Sequence, residues 1–171
     1  MTSQPVVAEL RRGRALLLGT LSGISGLVLL GVFLLIAATG QMEGQELVLS
    51  LCLAASLLGI SAHHIGLALR RPVALRIDAS GISGYFAEPA VWPEIMEIDA
   101  WQGSKGRRYL GFAFLNPDII LGRQSAWRRF SNWSRNPGFG YRYQIVISED
   151  LLQDYGVDAL AAQARAFHRA A

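Results

Sequence analysis

The chain has 171 residues, a formal net charge of +3 and 51% hydrophobic side chains, and neither charge nor apolar content is spread evenly. Apolar residues crowd the first seventy positions, and the basic surplus flanks that region, in Arg11, Arg12 and Arg14 and again in Arg70 and Arg71. The rest is nearly balanced, which argues against a nucleic-acid footprint, and a single cysteine, Cys52, excludes an intramolecular disulfide and hence a disulfide-stapled secreted fold.

After a basic N-terminus over residues 1–14, no charged residue occurs from Ala15 to Thr39. About 20 apolar residues suffice to cross a hydrocarbon core roughly 30 Å thick, so this run is long enough to span. It is also far longer than the apolar core of a cleavable signal peptide, about 7 to 15 residues. A second uncharged run, Leu47 to Leu69, meets the same criterion. Backbone amides in lipid must bond within their own segment, which makes both runs α-helices, and the connector from Gly40 to Glu46 allows only an antiparallel hairpin. Residues 15–71 therefore read as a membrane hairpin with helices over 15–39 and 47–69. Arginines lie outside both helices on one side, whereas the connector carries only Glu43 and Glu46. Positive residues are held on the cytoplasmic side, so the expectation is a multi-pass protein of the cell (inner) membrane with both termini cytoplasmic.

Within the hairpin, Gly19 and Gly23 have the GxxxG spacing, and Ser22 with Gly26 extends the small-residue face. Two readings stay open: dimerisation through the first helix, or close packing on the second helix of the same hairpin. His63 and His64 are adjacent and so point about 100° apart, which suits interfacial polar residues better than a shared metal or haem.

Pro72 ends the helical region, and residues 72–171 change character. Val73, Leu75 and Ile77 alternate as a strand, Asp78-Ala79-Ser80-Gly81 is a turn, and Ile82 to Phe86 is the returning strand. Glu88-Pro89 turns the chain again. Val91 to Trp101 reads as an extended segment broken at Pro93, and Arg108 to Phe114 as a strand closed by Asn116-Pro117-Asp118. Ile119, Ile120 and Leu121 fit a short buried strand, and Tyr141, Tyr143, Ile145 and Ile147 the last one. Val157, Leu160, Ala161, Ala164 and Phe167 then recur at helical spacing, predicting a terminal helix over 157–170. The fold class expected is α+β: a transmembrane hairpin, then a small antiparallel barrel or sandwich of five or six strands capped by an α-helix.

The order of parts resembles the bacterial membrane proteins in which a PH-like domain follows a two-helix anchor, a family of unknown function. The residues that carry this are Leu75-Arg76-Ile77-Asp78-Ala79-Ser80-Gly81-Ile82, the segment Trp92-Pro93-Glu94-Ile95-Met96-Glu97-Ile98, and the helix after Ile145-Val146-Ile147-Ser148. The resemblance implies that the Ile-Asp-x-x-Gly-Ile turn joins the first two strands and that the tryptophan segment forms the third, against the terminal helix. A PH domain has seven strands, so either the stretch after Gly122 hides one or the domain is reduced. The family brings no catalytic residues.

Between Gly122 and Gly140, Arg123, Trp127, Arg128, Arg129, Phe130, Trp133, Arg135 and Phe139 interleave with small polar residues. Trp127, Phe130 and Ser134 lie at helical spacing, and Asn136-Pro137-Gly138 must end such a helix. One reading is contact with anionic headgroups, arginine meeting phosphate and aromatics settling at the interface. The other is a crossover whose aromatics pack on the β-domain. A second basic feature, Gly103 to Arg108 with Lys105 and Arg107, is a hairpin tip that suits a phosphate or is merely solvated. No catalytic, metal-binding or nucleotide motif is present, and Glu94, Glu97, Asp99 and His168 read as surface. The functional expectation is a non-enzymatic, membrane-anchored interaction module without cofactor, binding membrane lipids or a protein partner, with a homo-oligomer also open. The alternative is a structural subunit of a membrane complex acting through its hairpin.

Overall fold

The computed structural model describes residues 4–40, 44–70, 72–103, 106–138 and 140–171. Glu43, Arg71, Lys105 and Phe139, singled out above, lie outside the described residues. The chain divides into two compact units, Arg11–Arg71 and Met1–Leu10 with Pro72–Ala171.

The first unit is a helical hairpin of α1 (Arg12–Ala38) and α2 (Gly44–Arg70), each of 27 residues and each long and apolar enough to cross a membrane. A buried core helix of a soluble protein would pass the same test. Here only 6% and 11% of the most apolar windows are buried, and Leu17, Leu27, Leu35 and Leu49 are exposed along the hairpin, a surface suited to lipid. Hydroxyls are satisfied locally: Thr20 Oγ1 donates to the Leu16 carbonyl at 2.8 Å and Ser56 Oγ to Cys52 at 2.7 Å. The helices extend beyond the uncharged runs. Glu46 belongs to the first turn of α2 and not to the connector, a favourable place for a carboxylate. Arg12 belongs to the first turn of α1 and donates through Nε to the Ala68 carbonyl at 3.1 Å, capping the end of the antiparallel neighbour.

The glycine face lies inside the hairpin. A Cβ on Gly19 would come within 2.8 Å of Ile65 Cγ1, one on Gly23 within 2.7 Å of Ser61 Oγ, and one on Gly26 within 3.1 Å of Leu58 Cγ. Ser22 is half-buried beside them.

The second unit begins before the hairpin. Residues 6–9 are not part of a free basic tail: Val6–Glu9 form strand β1, antiparallel to β2 (Val73–Asp78), with Val6 opposite Ile77 and Ala8 opposite Leu75. Val6 and Ala8 point into the core, and alternation over only four residues is too short a signal to stand out in a sequence. β3 (Gly81–Ser83) and β4 (Ala90–Val91) complete a four-stranded antiparallel sheet in the order β1-β2-β3-β4. Ile82 to Phe86 is a strand only as far as Ser83, because the chain bends at Gly84. Gly84 has a φ of 146°, and a Cβ there would meet the Ala74 carbonyl oxygen at 2.7 Å.

A turn of 3₁₀-helix at Trp92–Glu94, seeded by Pro93, leads into β5 (Ile95–Gln102). With β6 (Arg108–Phe114) and β7 (Ile145–Ser148) it forms a three-stranded antiparallel sheet, and neither sheet closes on itself. Ile119 to Leu121 are helical rather than a strand: α3 spans Pro117–Arg123, with proline at its first position and Asp118 in its first turn. Only Ile120 of that trio is fully buried. The terminal helix, α5 (Val157–Ala170), buries the periodic face expected of it, Val157, Leu160, Ala161, Ala164 and Phe167. Burying a Leu, Val or Phe side chain contributes about 1.5–3 kcal/mol, so this face is a main tie between α5 and the sheets. Trp92 joins it, its ring stacked on Phe167 with centroids 6.1 Å apart and its Nε1 donating to the Asp78 carbonyl at 2.9 Å.

Candidate functional site

The stretch from Gly122 to Gly140 contains the short amphipathic helix its spacing predicts. α4 spans Ala126–Arg135; Ser125 caps it by accepting the Arg128 N–H at 3.3 Å, and Pro137 follows the C-cap Asn136. Its polarity is inverted. The face turned to the protein is polar, and the face turned outward is aromatic.

Four amide side chains, Gln124, Asn132, Asn136 and Gln144, are buried where α4 meets the start of β7. Asn132 Oδ1 accepts the Val146 N–H at 3.2 Å while its Nδ2 donates to the Gln144 carbonyl at 2.8 Å. Gln124 Nε2 donates to that same carbonyl at 2.8 Å, and Gln144 Oε1 accepts the Phe114 N–H at 2.9 Å. Asn136 engages Tyr143 in the same way as Asn132 engages β7. These amides stand in for a neighbouring strand along the free edge of β7, where bare backbone groups would cost about 1–3 kcal/mol each. Sequence reasoning did not find them. The only signal is the pair Asn132 and Asn136 at i, i+4, on the side of the helix away from the tryptophans.

Trp127, Phe130 and Trp133 lie at i, i+3 and i+6, opposite Asn132 at about 100° per residue. Their rings form a continuous row, with successive centroids 5.9 Å and 5.9 Å apart. Trp127 is 76% exposed and Phe130 53% exposed, while Trp133 is half-buried. The expectation that these aromatics pack on the β-domain therefore fails for the first two.

The basic residues separate into distinct roles. Arg128 faces inward, ion-paired with buried Glu88, donating to the Tyr85 carbonyl at 2.7 Å and lying over the Tyr85 ring at 5.9 Å. It fastens α4 to the 85–88 segment. Arg123 reaches the Pro89 carbonyl at 3.3 Å, Arg135 is half-buried, and Arg129 is exposed with no ion pair among the described residues. Arg107 belongs to the β5–β6 turn, its Nε 3.8 Å from Asp150, and Arg108 pairs with Asp158. The hairpin tip is thus drawn toward carboxylates of its own domain.

Glu97 and Asp99, expected to be a solvated edge, are engaged on β5. Glu97 pairs with Arg142 at 2.9 Å and Asp99 with Arg165 at 3.2 Å, and the Tyr143 hydroxyl donates to Asp99 at 3.1 Å. Burial, followed by the charges of Asp99 and Glu97, pushes the Tyr143 phenol up to about 12, so the group is a fixed donor at neutral pH. Tyr143 stacks on Trp101 with centroids 4.8 Å apart, and Gly111 leaves room for both rings. His168 is likewise committed, its Nε2 lying 2.8 Å from the Ile95 carbonyl. The cleft bounded by Glu94, Phe114, Asn116, Ile119 and Ile120 has one ionisable side chain, Glu94. Among the described residues no three His, Cys, Asp or Glu side chains gather as a metal site.

Comparison with protein-family models, with curated proteins and with solved structures finds no match to this chain.

Proposed function

We propose that the protein is a membrane-anchored, non-enzymatic interaction module whose hairpin spans the cell membrane and whose PH-like domain is offered to lipid or protein at the cytoplasmic face. One observation carries this reading: β1, before the hairpin, is paired with β2, after it. Two crossings return the chain to the side it left, where the two strands can meet in one sheet, whereas a single crossing would part them. The arginines at both ends of the hairpin favour the cytoplasm as that side. Antiparallel sheets of four and three strands with a terminal helix whose Phe167 stacks on Trp92 support the PH-like reading, and β1 supplies the strand that a count from Pro72 onward lacks. Ionisable groups of the domain work mainly as fasteners, as in Arg128–Glu88 and Arg165–Asp99, which favours binding over catalysis.

The alternative, a subunit assembling through its hairpin, loses its strongest feature because Gly19, Gly23 and Gly26 are occupied by α2. The test is to fuse a reporter active only in the cytoplasm to Ala171, and separately one active only outside the membrane. Cytoplasmic signal with resistance to alkaline extraction supports the module; an external signal, or release into the aqueous phase without detergent, refutes it.

A further inference from the structure

We infer that α4 lies along the headgroup zone of the membrane that holds the hairpin, its aromatic row seated among the lipids and Arg129 drawing it to anionic headgroups; this rests on the anchored reading above. A helix on a soluble surface puts its aromatics against the protein and its amides toward water. α4 does the reverse, with Asn132 and Asn136 buried and Trp127 and Phe130 exposed. Those two rings are 76% and 53% exposed, and the amide bonds to β7 hold them in one row before any ligand arrives. Tryptophan at the polar boundary and arginine beside it are the residues an interfacial helix uses.

Charge chooses the occupant. Asp118 is the sole carboxylate between Asn116 and Gly140, against Arg123, Arg128, Arg129 and Arg135, and Arg128 is already neutralised by Glu88. Arg129 is exposed, one position from the aromatic Phe130 and without an internal carboxylate among the described residues, and Arg123 keeps its charge beside the Pro89 carbonyl. A row of three rings along ten residues is a small surface for a free partner. Tethering changes that requirement: β1 and α1 are separated by Leu10 and Arg11 alone, and α2 and β2 by Arg71 and Pro72, so a bilayer is always at high effective concentration. A shallow seat then suffices to fix the orientation of the domain.

The experiment uses the full-length protein with Cys52→Ser, reconstituted in phosphatidylcholine vesicles with or without phosphatidylglycerol. A spin label is placed at Ser134→Cys, an exposed position one turn from Phe130, or in a separate sample at Leu27→Cys in α1. Accessibility to oxygen and to a water-soluble nickel chelate is then measured. The expected result is lipid exposure at both labels, with the Ser134 label moving into water in Trp127→Ala/Phe130→Ala. Arg129→Gln should reduce the ratio of seated to unseated domain about fivefold in anionic vesicles, since one basic residue near such a surface contributes about 1 kcal/mol. A lipid-exposed Leu27 label with a Ser134 label in water in every mixture overturns the inference and leaves α4 to a protein partner, while the anchor stands. A Leu27 label in water overturns both. Equal seating with and without phosphatidylglycerol overturns the role of Arg129.

Discussion

Asn136 bonds both backbone groups of Tyr143: its Nδ2 donates to the carbonyl oxygen at 2.8 Å and its Oδ1 accepts the N–H at 2.8 Å. One side chain thereby does the work of a strand neighbour, at the point where α4 ends and the approach to β7 begins. Asn136→Ala orphans two buried groups and should cost about 2–4 kcal/mol. Asn136→Asp should fare no better, because it keeps an acceptor for the N–H but loses the donor and buries a charge. Thermal unfolding of the detergent-solubilised protein gives the stability change, and faster tryptic cleavage at Arg129 and Arg135 would locate it in α4.

Gly111 occupies the floor beneath the Trp101 and Tyr143 rings. A Cβ would lie 2.5 Å from Trp101 Cζ3 and 2.7 Å from Tyr143 Cγ, so Gly111→Ala must part the stack. Overpacking of this kind costs about 1–3 kcal/mol. Loss of near-ultraviolet circular dichroism from the aromatic cluster, at a lower melting temperature, is the expected signature.

The raised pKa of Tyr143 fixes an alkaline limit. Its folded value of about 12 exceeds the ordinary value of 10.0, so the neutral phenol is favoured by folding. Its contribution is complete below pH 10 and is lost as pH rises from 10 toward 12. Absorbance titration at the phenolate band should show one tyrosine ionising last, and Tyr143→Phe should remove that component while flattening the loss of stability over the same range.

The hairpin gives a paired steric test. Gly19→Val should separate α1 from α2, since a Cβ there already meets Ile65 Cγ1 at 2.8 Å and the Ile65 backbone nitrogen at 3.2 Å. Gly31→Val, on the same helix, has nothing within 4 Å and should be silent. Comparison of the two by thermal stability in detergent separates packing from glycine content.

β1 predicts that the domain cannot be cut at Pro72. A fragment of residues 72–171 should expose the edge of β2 and leave Leu75 and Ile77 without Ala8 and Val6 beside them. Joining residues 4–10 to Pro72 through a short Gly-Ser loop should restore protease resistance and a cooperative melt, because antiparallel neighbours need only a tight connection.

Elements with long or regular patterns were legible in the sequence. α1 and α2 announced themselves by the absence of charge, α5 by its spacing, β2 and β6 by alternation, and α4 by Trp127, Phe130 and Ser134. The failures share a cause, which is that the deciding partner lies far along the chain or the segment is very short. β1 has four residues and pairs across the whole hairpin. Ile119 to Leu121 is an apolar run too brief for periodicity, and Pro117 at the helix start decided its state. At the candidate site the aromatic and basic composition was visible, but not that Arg128 turns inward to Glu88 while Arg129 does not. That division follows from where Asn132 and Asn136 anchor the helix.

For a hairpin that spans the membrane, the placement of β1 ahead of it makes assembly of the sheet contingent on both helices crossing together. As the chain is synthesised, Val6–Glu9 emerge ahead of the hairpin and wait for their partner strand until both helices and then Val73–Asp78 have followed. A polypeptide in which one helix failed to cross would strand the two halves of the sheet on opposite sides of the bilayer. Such a molecule would have an open edge at β2 and a core without Val6 and Ala8.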